Sequence, residues 1–151
     1  MGLKIGDKAP DFQLPSTDGQ QFSLYKDQMG KPCILYFYPK DFTRGCTAQA
    51  CSFRDHFDEF KGLNIDVYGI SMDSVKSHLK FKEKHKLPFE LLADTDGKVA
   101  KLFDAKVPFL SLTKRVSYLL DGDQKILFIY NSMMGFNKHF KKLIEEAKSG
   151  Y

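Results

Sequence analysis

The chain has 151 residues, of which 42% are hydrophobic and 28% charged, and this composition is typical of one globular domain with its own core. Its net charge of +4 is small and spread along the chain, which argues against a nucleic-acid-binding or membrane-binding surface. No apolar run approaches the roughly 18 residues that a membrane-spanning helix needs. From the length and composition we expect a single domain over residues 1–151.

The N-terminal segment MGLKIGDKAP carries no targeting signal that we recognise. It has neither the apolar centre of a secretory signal nor the Arg- and Ser-rich character of a transit peptide. We therefore expect a cytoplasmic protein, and a processed organellar form stays open as an alternative.

The first predicted elements are a hairpin and a buried strand. Residues 11–14 and 21–24 read as short strands around the turn-forming sequence STDGQ, which predicts a β-hairpin. Residues 33–38, CILYFY, form an unbroken apolar run that ends at Pro39. Such a run is typical of a central strand that is covered on both faces.

Helices and strands alternate over the rest of the chain. The predicted helices are 46–61, 74–86, 98–103 and 137–148, and the predicted strands are 66–71, 90–93, 115–120 and 125–130. In the last helix, Phe140, Leu143, Ile144 and Ala147 are expected to face inward. This order predicts an α/β fold with a central mixed β-sheet flanked by helices on both faces. In such sheets the chemistry lies beyond the carboxyl end of a central strand, which is where Cys46 stands.

Cys46 is predicted in the first turn of the helix 46–61. Free backbone N–H groups and the helix dipole at this position favour an anion, and they can lower the pKa of a thiol. Arg44 would add positive charge, and Thr43 offers a hydroxyl to a bound oxygen. We therefore expect an exposed thiolate that attacks electrophilic oxygen or sulfur.

Cys51 follows Cys46 by five residues on the same predicted helix. Ideal helix geometry places their Cα atoms about 9 Å apart. A disulfide requires less than about 7 Å, so the two thiols can join only if the first turns of the helix unravel. Each cysteine could instead be a small buried apolar residue, and this alternative stays open on the residues alone.

A metal site is not indicated, because the chain lacks CxxC and HxxxH motifs and its four histidines are scattered. Cys33 lies inside the apolar strand, where we expect an inert core thiol, with an auxiliary redox role as the alternative. Three cysteines do not form a disulfide framework, and closely spaced cysteines in a reducing compartment suggest redox chemistry.

The segment FYPKDFTRGCTAQACSF resembles a known family. Pro39, Thr43 and Cys46 match the P-x-x-x-T-x-x-C motif of peroxiredoxins, and Cys51 is similar to the resolving cysteine of the Q-type subgroup, the bacterioferritin comigratory proteins. The resemblance extends from GDKAPDF at residues 6–12 to the last helix. It implies a thioredoxin-like fold and a thioredoxin-dependent peroxidase that needs no metal or organic cofactor.

The same resemblance implies a role for each matching residue. Cys46 attacks the O–O bond of hydrogen peroxide or an organic hydroperoxide and becomes a sulfenic acid. Thr43 holds the reacting atoms, Pro39 shields the pocket, and Arg115 stabilises the thiolate and the transition state. Cys51 then forms an intramolecular disulfide, which thioredoxin or a similar dithiol protein reduces. An intramolecular partner favours a monomer.

Arg44 departs from the subgroup, which commonly has proline there in a T-P-G-C stretch. The departure affects the stiffness of the loop but removes no reacting group. Two other functions stay open: a general dithiol–disulfide oxidoreductase, disfavoured by the absence of CxxC, and a non-catalytic redox sensor.

Overall fold

The apolar run after the hairpin forms the middle strand of a five-stranded sheet. The computed structural model describes residues 3–132 and 138–150. Its strands are β1 (Gln13–Pro15), β2 (Gln21–Ser23), β3 (Cys33–Phe37), β4 (Asp66–Ser71), β5 (Glu90–Ala93), β6 (Val116–Leu120) and β7 (Ile126–Asn131). Its helices are α1 (Leu24–Asp27), α2 (Arg44–Asp55), α3 (Phe57–Gly62), α4 (Val75–His85), α5 (Lys98–Leu102) and α6 (His139–Gly150).

The main sheet has the strand order β5-β4-β3-β6-β7, and β1 pairs with β2 in a separate antiparallel hairpin. Strand β3 runs parallel to β4 and antiparallel to β6. Strands β4 and β5 are parallel, whereas β6 and β7 form an antiparallel hairpin. The predictions of a mixed sheet and an N-terminal hairpin are therefore confirmed.

Strand β3 separates two apolar cores, because successive side chains of a strand point to opposite faces. Cys33, Leu35 and Phe37 pack into the core that includes the N-terminal hairpin and α5. Ile34, Tyr36 and Tyr38 pack into the other core, beneath α2, α4 and α6. All five residues of the strand are buried, as the unbroken apolar run predicts.

The prediction of one helix over residues 46–61 is wrong in its bounds and its continuity. Helix α2 begins two residues earlier, at Arg44, and ends at Asp55. His56, with φ −114° and ψ 18°, breaks the run before α3 begins. The apolar spacing nevertheless identifies residues that face the core, since Ala50, Phe53 and Phe60 are buried. The break at a residue with no proline or glycine leaves no signal in the sequence.

The predicted strands 66–71 and 90–93 agree with β4 and β5 at both ends. The other predicted elements differ from the structure by one or two residues at their ends, and the short α1 is an additional element. The last helix starts at His139, and its residues Leu143, Ile144 and Ala147 are buried as expected. The side chain of Phe140 and the position of Asn137 lie outside the described residues. Within the described part of the chain, no helix has the length and apolar character required to cross a bilayer.

Candidate active site

Cys46 lies in the first turn of α2, directly beyond the carboxyl end of the central strand β3. Thr43 is the N-cap residue, with extended backbone angles, and Cys46 is the third residue of the helix. The prediction of its place in the fold is confirmed. The expectation of an exposed thiol is wrong: Cys46 is only 1% exposed and belongs to the core beneath α2. The Cys46 side chain lies on the inward face of the helix, and its position in the sequence alone does not reveal this burial.

Arg115 lies at the same end of the sheet as Cys46. Strand β6 is antiparallel to β3, and Phe37 pairs with Val116, so Arg115 enters the sheet beside the end of β3. Its guanidinium is buried, and Nη1 donates a hydrogen bond of 2.6 Å to Gln49 Oε1. Gln49 follows Cys46 by three residues on α2, and it is also fully buried. The structure thus joins Arg115 to the helix that carries Cys46.

Tyr36 connects these groups electrostatically. Burial raises the pKa of Tyr36 well above its usual range, and the nearby charges of Cys46, Asp41 and Cys51 raise it further, whereas Arg115 lowers it. Its hydroxyl has no hydrogen-bond partner among the described residues, and its ring stacks on Phe53 with centroids 4.5 Å apart. Tyr36 is therefore close enough to interact with both cysteines and the arginine, which are up to 69 positions apart in the sequence.

Thr43 and Pro39 border the loop that leads from β3 to α2. The hydroxyl of Thr43 is exposed and donates to the backbone oxygen of Lys40 at 2.8 Å. Because this proton is used, the Thr43 oxygen can accept a hydrogen bond from a ligand. Pro39 is half-buried and directly follows Tyr38, whose amide is the last to pair with β4, at Ile70 O.

A buried polar cluster anchors this loop to the neighbouring elements. The carboxylate of Asp41 accepts hydrogen bonds from Tyr38 Oη at 2.6 Å, Ser77 Oγ at 2.7 Å and His78 Nδ1 at 2.7 Å. His78 Nε2 lies 3.0 Å from the backbone oxygen of Leu92, so both ring nitrogens have a partner. The backbone N–H of Asp41 donates to the Asp73 carboxylate at 2.8 Å. The loop is therefore held at its midpoint.

Strain accompanies this anchor. Phe42, the residue between Asp41 and Thr43, has a φ of 66°, which is uncommon for a residue with a Cβ. Its ring packs against that of Phe81 on α4, with centroids 5.2 Å apart. The anchored Asp41 and the packed Phe42 together set the direction from which the chain enters α2.

The same cluster is the one group in the described part of the chain whose side chains could surround a cation. Its members are Asp41, Asp73 and His78. Their atoms already bind one another, Ser71, Ser77, Tyr38 and the backbone. These contacts fix the loop to its neighbours, so we assign the cluster a structural role.

Cys51 lies on α2 as predicted, half-buried and away from the first turn. Helix α2 is continuous from Arg44 to Asp55, and all three cysteines are free thiols. Cys33 is 1% exposed, and burial together with the charge of Asp66 raises the pKa of its thiol far above the usual range. The expectation of an inert core thiol agrees with this environment.

Gln49, Asp41 and His78 are the site residues that sequence reasoning missed. Gln49 had a weak signal, because residues three apart share a helix face and Gln49 therefore lies beside Cys46. Asp41 and His78 are 37 positions apart, and nothing in the sequence indicates that they pair.

The chain matches the family model described as the AhpC/TSA family over residues 5–129. It is 42% identical over 143 residues to peroxiredoxin Bcp of Escherichia coli strain K12, with 91% of each chain covered. It is also 42% identical over 145 residues to the chloroplastic peroxiredoxin Q of Oryza sativa subsp. japonica, with 95% of this chain covered. The chain spans 66% of that rice relative's length.

A solved structure shows the same fold over nearly the whole chain. The peroxidoxin BcpB of Mycobacterium tuberculosis superposes with a TM-score of 0.92 at 34% identity, covering 99% of both chains. This neighbour confirms the expected thioredoxin-like architecture. The motif Pro39, Thr43 and Cys46 leads into the first turn of α2, and the family model and the named relatives indicate the same family. The chain therefore belongs to the Q-type, or Bcp, subgroup of the peroxiredoxin family.

Proposed function

We propose that the protein is a thiol-dependent peroxidase that reduces hydrogen peroxide and organic hydroperoxides. The Cys46 thiolate attacks one oxygen of the O–O bond, which breaks and leaves Cys46 as a sulfenic acid. The second oxygen departs with the bonding electrons and takes up a proton, so that water or an alcohol is released. The observation that carries this proposal is the position of Cys46 in the first turn of α2, at the sheet end that Arg115 enters.

The surrounding groups suit this reaction because charge develops on the departing oxygen. Preorganised hydrogen-bond donors stabilise such charge most where water is excluded, and Cys46 and Arg115 are both buried. We assign that role to Arg115 and to the backbone N–H groups at the start of α2. The Thr43 oxygen is assigned to accept from the hydroperoxide O–H, and Pro39 to shield the thiolate from water.

Cys51 is assigned as the resolving thiol. Its sulfur attacks the sulfenic sulfur of Cys46, the S–O bond breaks, water leaves and a disulfide forms. Because both residues lie on a continuous α2, the helix must unwind between them first. A dithiol protein of the thioredoxin type then reduces the disulfide. The partner cysteine within the same chain favours a monomer as the working unit.

The test is to add one equivalent of hydrogen peroxide to the reduced protein and to record the intact mass and a non-reducing peptide map. We expect a loss of two hydrogens and a crosslink between Cys46 and Cys51. The Cys51→Ser variant should stop at the sulfenic acid or proceed to sulfinic acid. Peroxide consumption that persists in Cys46→Ser would disprove the assignment of the attacking residue.

Turnover separates this function from the two alternatives. A peroxidase consumes many equivalents of peroxide when thioredoxin and its reductase are supplied. A redox sensor would be oxidised once without turnover. A general dithiol–disulfide oxidoreductase would reduce insulin faster than it consumes peroxide, an outcome that the buried position of Cys46 disfavours.

A further inference from the structure

The proposed resolving thiol has a titratable neighbour on another helix. Cys51 Sγ lies 4.0 Å from Nδ1 of His85, the last residue of α4. This distance is at the long end for a hydrogen bond from a thiol. Both side chains are half-buried, so the pair is partly withdrawn from solvent. Among the described residues, His85 is the one imidazole in contact with a cysteine sulfur.

Arg54 holds this pair together from the side of α2. It follows Cys51 by three residues, so the two share a face of the helix. Arg54 Nη1 donates a hydrogen bond of 2.8 Å to the backbone oxygen of His85, and Nε donates to Asp55 Oδ1 at 2.9 Å. The His85 ring also meets the edge of the fully buried Phe81, with centroids 5.2 Å apart. The turn that carries Cys51 is thereby docked on the end of α4.

The surroundings of His85 favour the neutral form of its ring. Burial lowers the pKa of His85, and the positive charges of Lys84 on α4 and Arg54 on α2 lower it further. A neutral ring has one nitrogen with a free lone pair, and Nδ1 is the nitrogen that faces the thiol. Arg54, neutralised in part by Asp55, lies close enough to interact with a charge on Cys51. A thiolate formed there would have a cation beside it.

The two ends of α2 differ in how firmly they are held. At the start, the Thr43 side chain makes no capping hydrogen bond, and Thr43 and Arg44 are both exposed, whereas Cys46 in the same turn is buried. At the Cys51 turn, Arg54 joins the helix to α4. Helix ends open at lower cost than packed segments, so the first turn is the part expected to unwind.

We propose that His85 is the general base for the resolving step, acting while the Cys51 turn remains docked on α4 and the first turn of α2 unwinds to bring Cys46 to it. The inference deepens the proposed peroxidase function and depends on it. The proton of the Cys51 thiol passes to His85 Nδ1, and the thiolate attacks the Cys46 sulfur. The S–O bond breaks, and the departing hydroxide takes the proton from His85 and leaves as water. No other oxidant or reductant takes part.

The experiment measures the resolving step alone. A short pulse of peroxide oxidises Cys46, the reaction is quenched at set times with dimedone and an alkylating reagent, and intact masses give the sulfenic acid and disulfide fractions. In His85→Gln we expect disulfide formation at pH 7 to be at least tenfold slower, while Cys46 oxidation is unchanged. Near pH 10 solvent ionises the thiol, so the two proteins should then form the disulfide at similar rates.

A matched control is His56→Gln, which removes a different histidine, one whose Nδ1 lies 3.0 Å from the Ser52 oxygen. It should leave the resolving rate and its pH profile unchanged. A deficit in His85→Gln that is equal at every pH would mean a structural role and would overturn the inference, as would no deficit at all.

The unmodified protein supplies a second readout that does not depend on any variant folding. With a base in place, the resolving rate should be nearly constant between pH 7 and pH 8, below the ordinary thiol pKa. A rise of about tenfold per pH unit across that interval would mean that solvent ionises Cys51, and the inference would fail. If no Cys46–Cys51 disulfide forms in the unmodified protein, the proposed function itself fails at the resolving step.

Discussion

At the scale of single residues, Gln49 contacts Arg115, the residue that we propose stabilises the Cys46 thiolate. Nη1 of Arg115 donates a hydrogen bond of 2.6 Å to Gln49 Oε1. Gln49 lies one helical turn beyond Cys46. The amide Nε2 of Gln49 has no partner among the described residues, which fixes the amide orientation through its oxygen alone. We therefore expect Gln49 to position the arginine.

Replacing Gln49 with leucine should slow the oxidation of Cys46 by hydrogen peroxide about tenfold to a hundredfold. The change removes an acceptor from a buried guanidinium, and a hydrogen bond to a charged group contributes about 1.5–3 kcal/mol. Each 1.4 kcal/mol corresponds to a factor of ten in rate. Competition against a peroxidase of known rate measures the effect, since the chain has no tryptophan to report it by fluorescence.

The matched variant is Gln49→Glu, which keeps an oxygen acceptor at the same distance from the backbone. It should lose less of the rate than Gln49→Leu, because it keeps Arg115 in place although its charge partly offsets that of the guanidinium, and urea unfolding should show that both variants are folded. Equal losses in Gln49→Leu and Gln49→Glu would show that the contact with Arg115 is not what matters.

At the scale of elements, the proposed cycle requires the first turn of α2 to be ordered for peroxide attack and to unwind for resolution. Arg44 occupies its first position, where a backbone N–H has no partner within the helix. Proline is compatible with this position, because Thr43 before it has φ −79° and ψ 154°, the extended region that precedes proline. The arginine therefore favours a less rigid turn than the proline that is usual in the subgroup.

The Arg44→Pro variant should form the Cys46–Cys51 disulfide roughly two- to fivefold more slowly, because proline stabilises an ordered turn by about 0.4–1 kcal/mol. Quench-flow mass analysis after a peroxide pulse measures this rate. Arg44→Ala separates the loss of charge from the gain in rigidity and should form the disulfide at nearly the original rate. Faster disulfide formation in Arg44→Pro would contradict the view that unwinding limits resolution.

At the scale of the whole molecule, α6 is attached to the sheet beside the active site through a neutral buried histidine. His139 Nε2 donates to the Ser132 oxygen at 3.1 Å, and Nδ1 accepts from Ser117 Oγ at 2.8 Å. Burial lowers the pKa of His139 to about 4, the hydrogen bond to Ser132 opposes this, and the charge of Arg115 adds to it. Protonation of this ring therefore opposes folding.

The free energy of unfolding should fall as the pH drops from about 6.5 to about 4. The unfolded chain binds a proton on His139 near pH 6.5, whereas the folded protein binds it only near pH 4. The stability is fully present above pH 6.5, and about 3 kcal/mol is lost at the acid end. Urea unfolding between pH 4 and pH 7.5 measures it, and His139→Gln should show a smaller pH dependence. An equal slope in both proteins would contradict the assignment.

The amino-acid sequence by itself determined the class of fold and the place of the chemistry. Apolar period and turn residues depend on neighbours in the chain, so the central strand Cys33–Phe37, the N-terminal hairpin and the presence of a helix after that strand could be predicted, although the bounds of α2 could not. The spacing from Pro39 to Cys46 and Cys51 is equally local, and it was sufficient to indicate the family. The roles of these residues, and that of Arg115, stay predictions until the variants are measured.

Only the tertiary structure decided what surrounds each sulfur. The burial of Cys46, the Gln49–Arg115 contact, the Asp41–His78 anchor and the approach of His85 to Cys51 all join residues from different elements. The break at His56 likewise has no local signal. Such contacts depend on how helices pack on a sheet, and packing is set by the shapes of many distant side chains together, so no pattern along one stretch of chain encodes it.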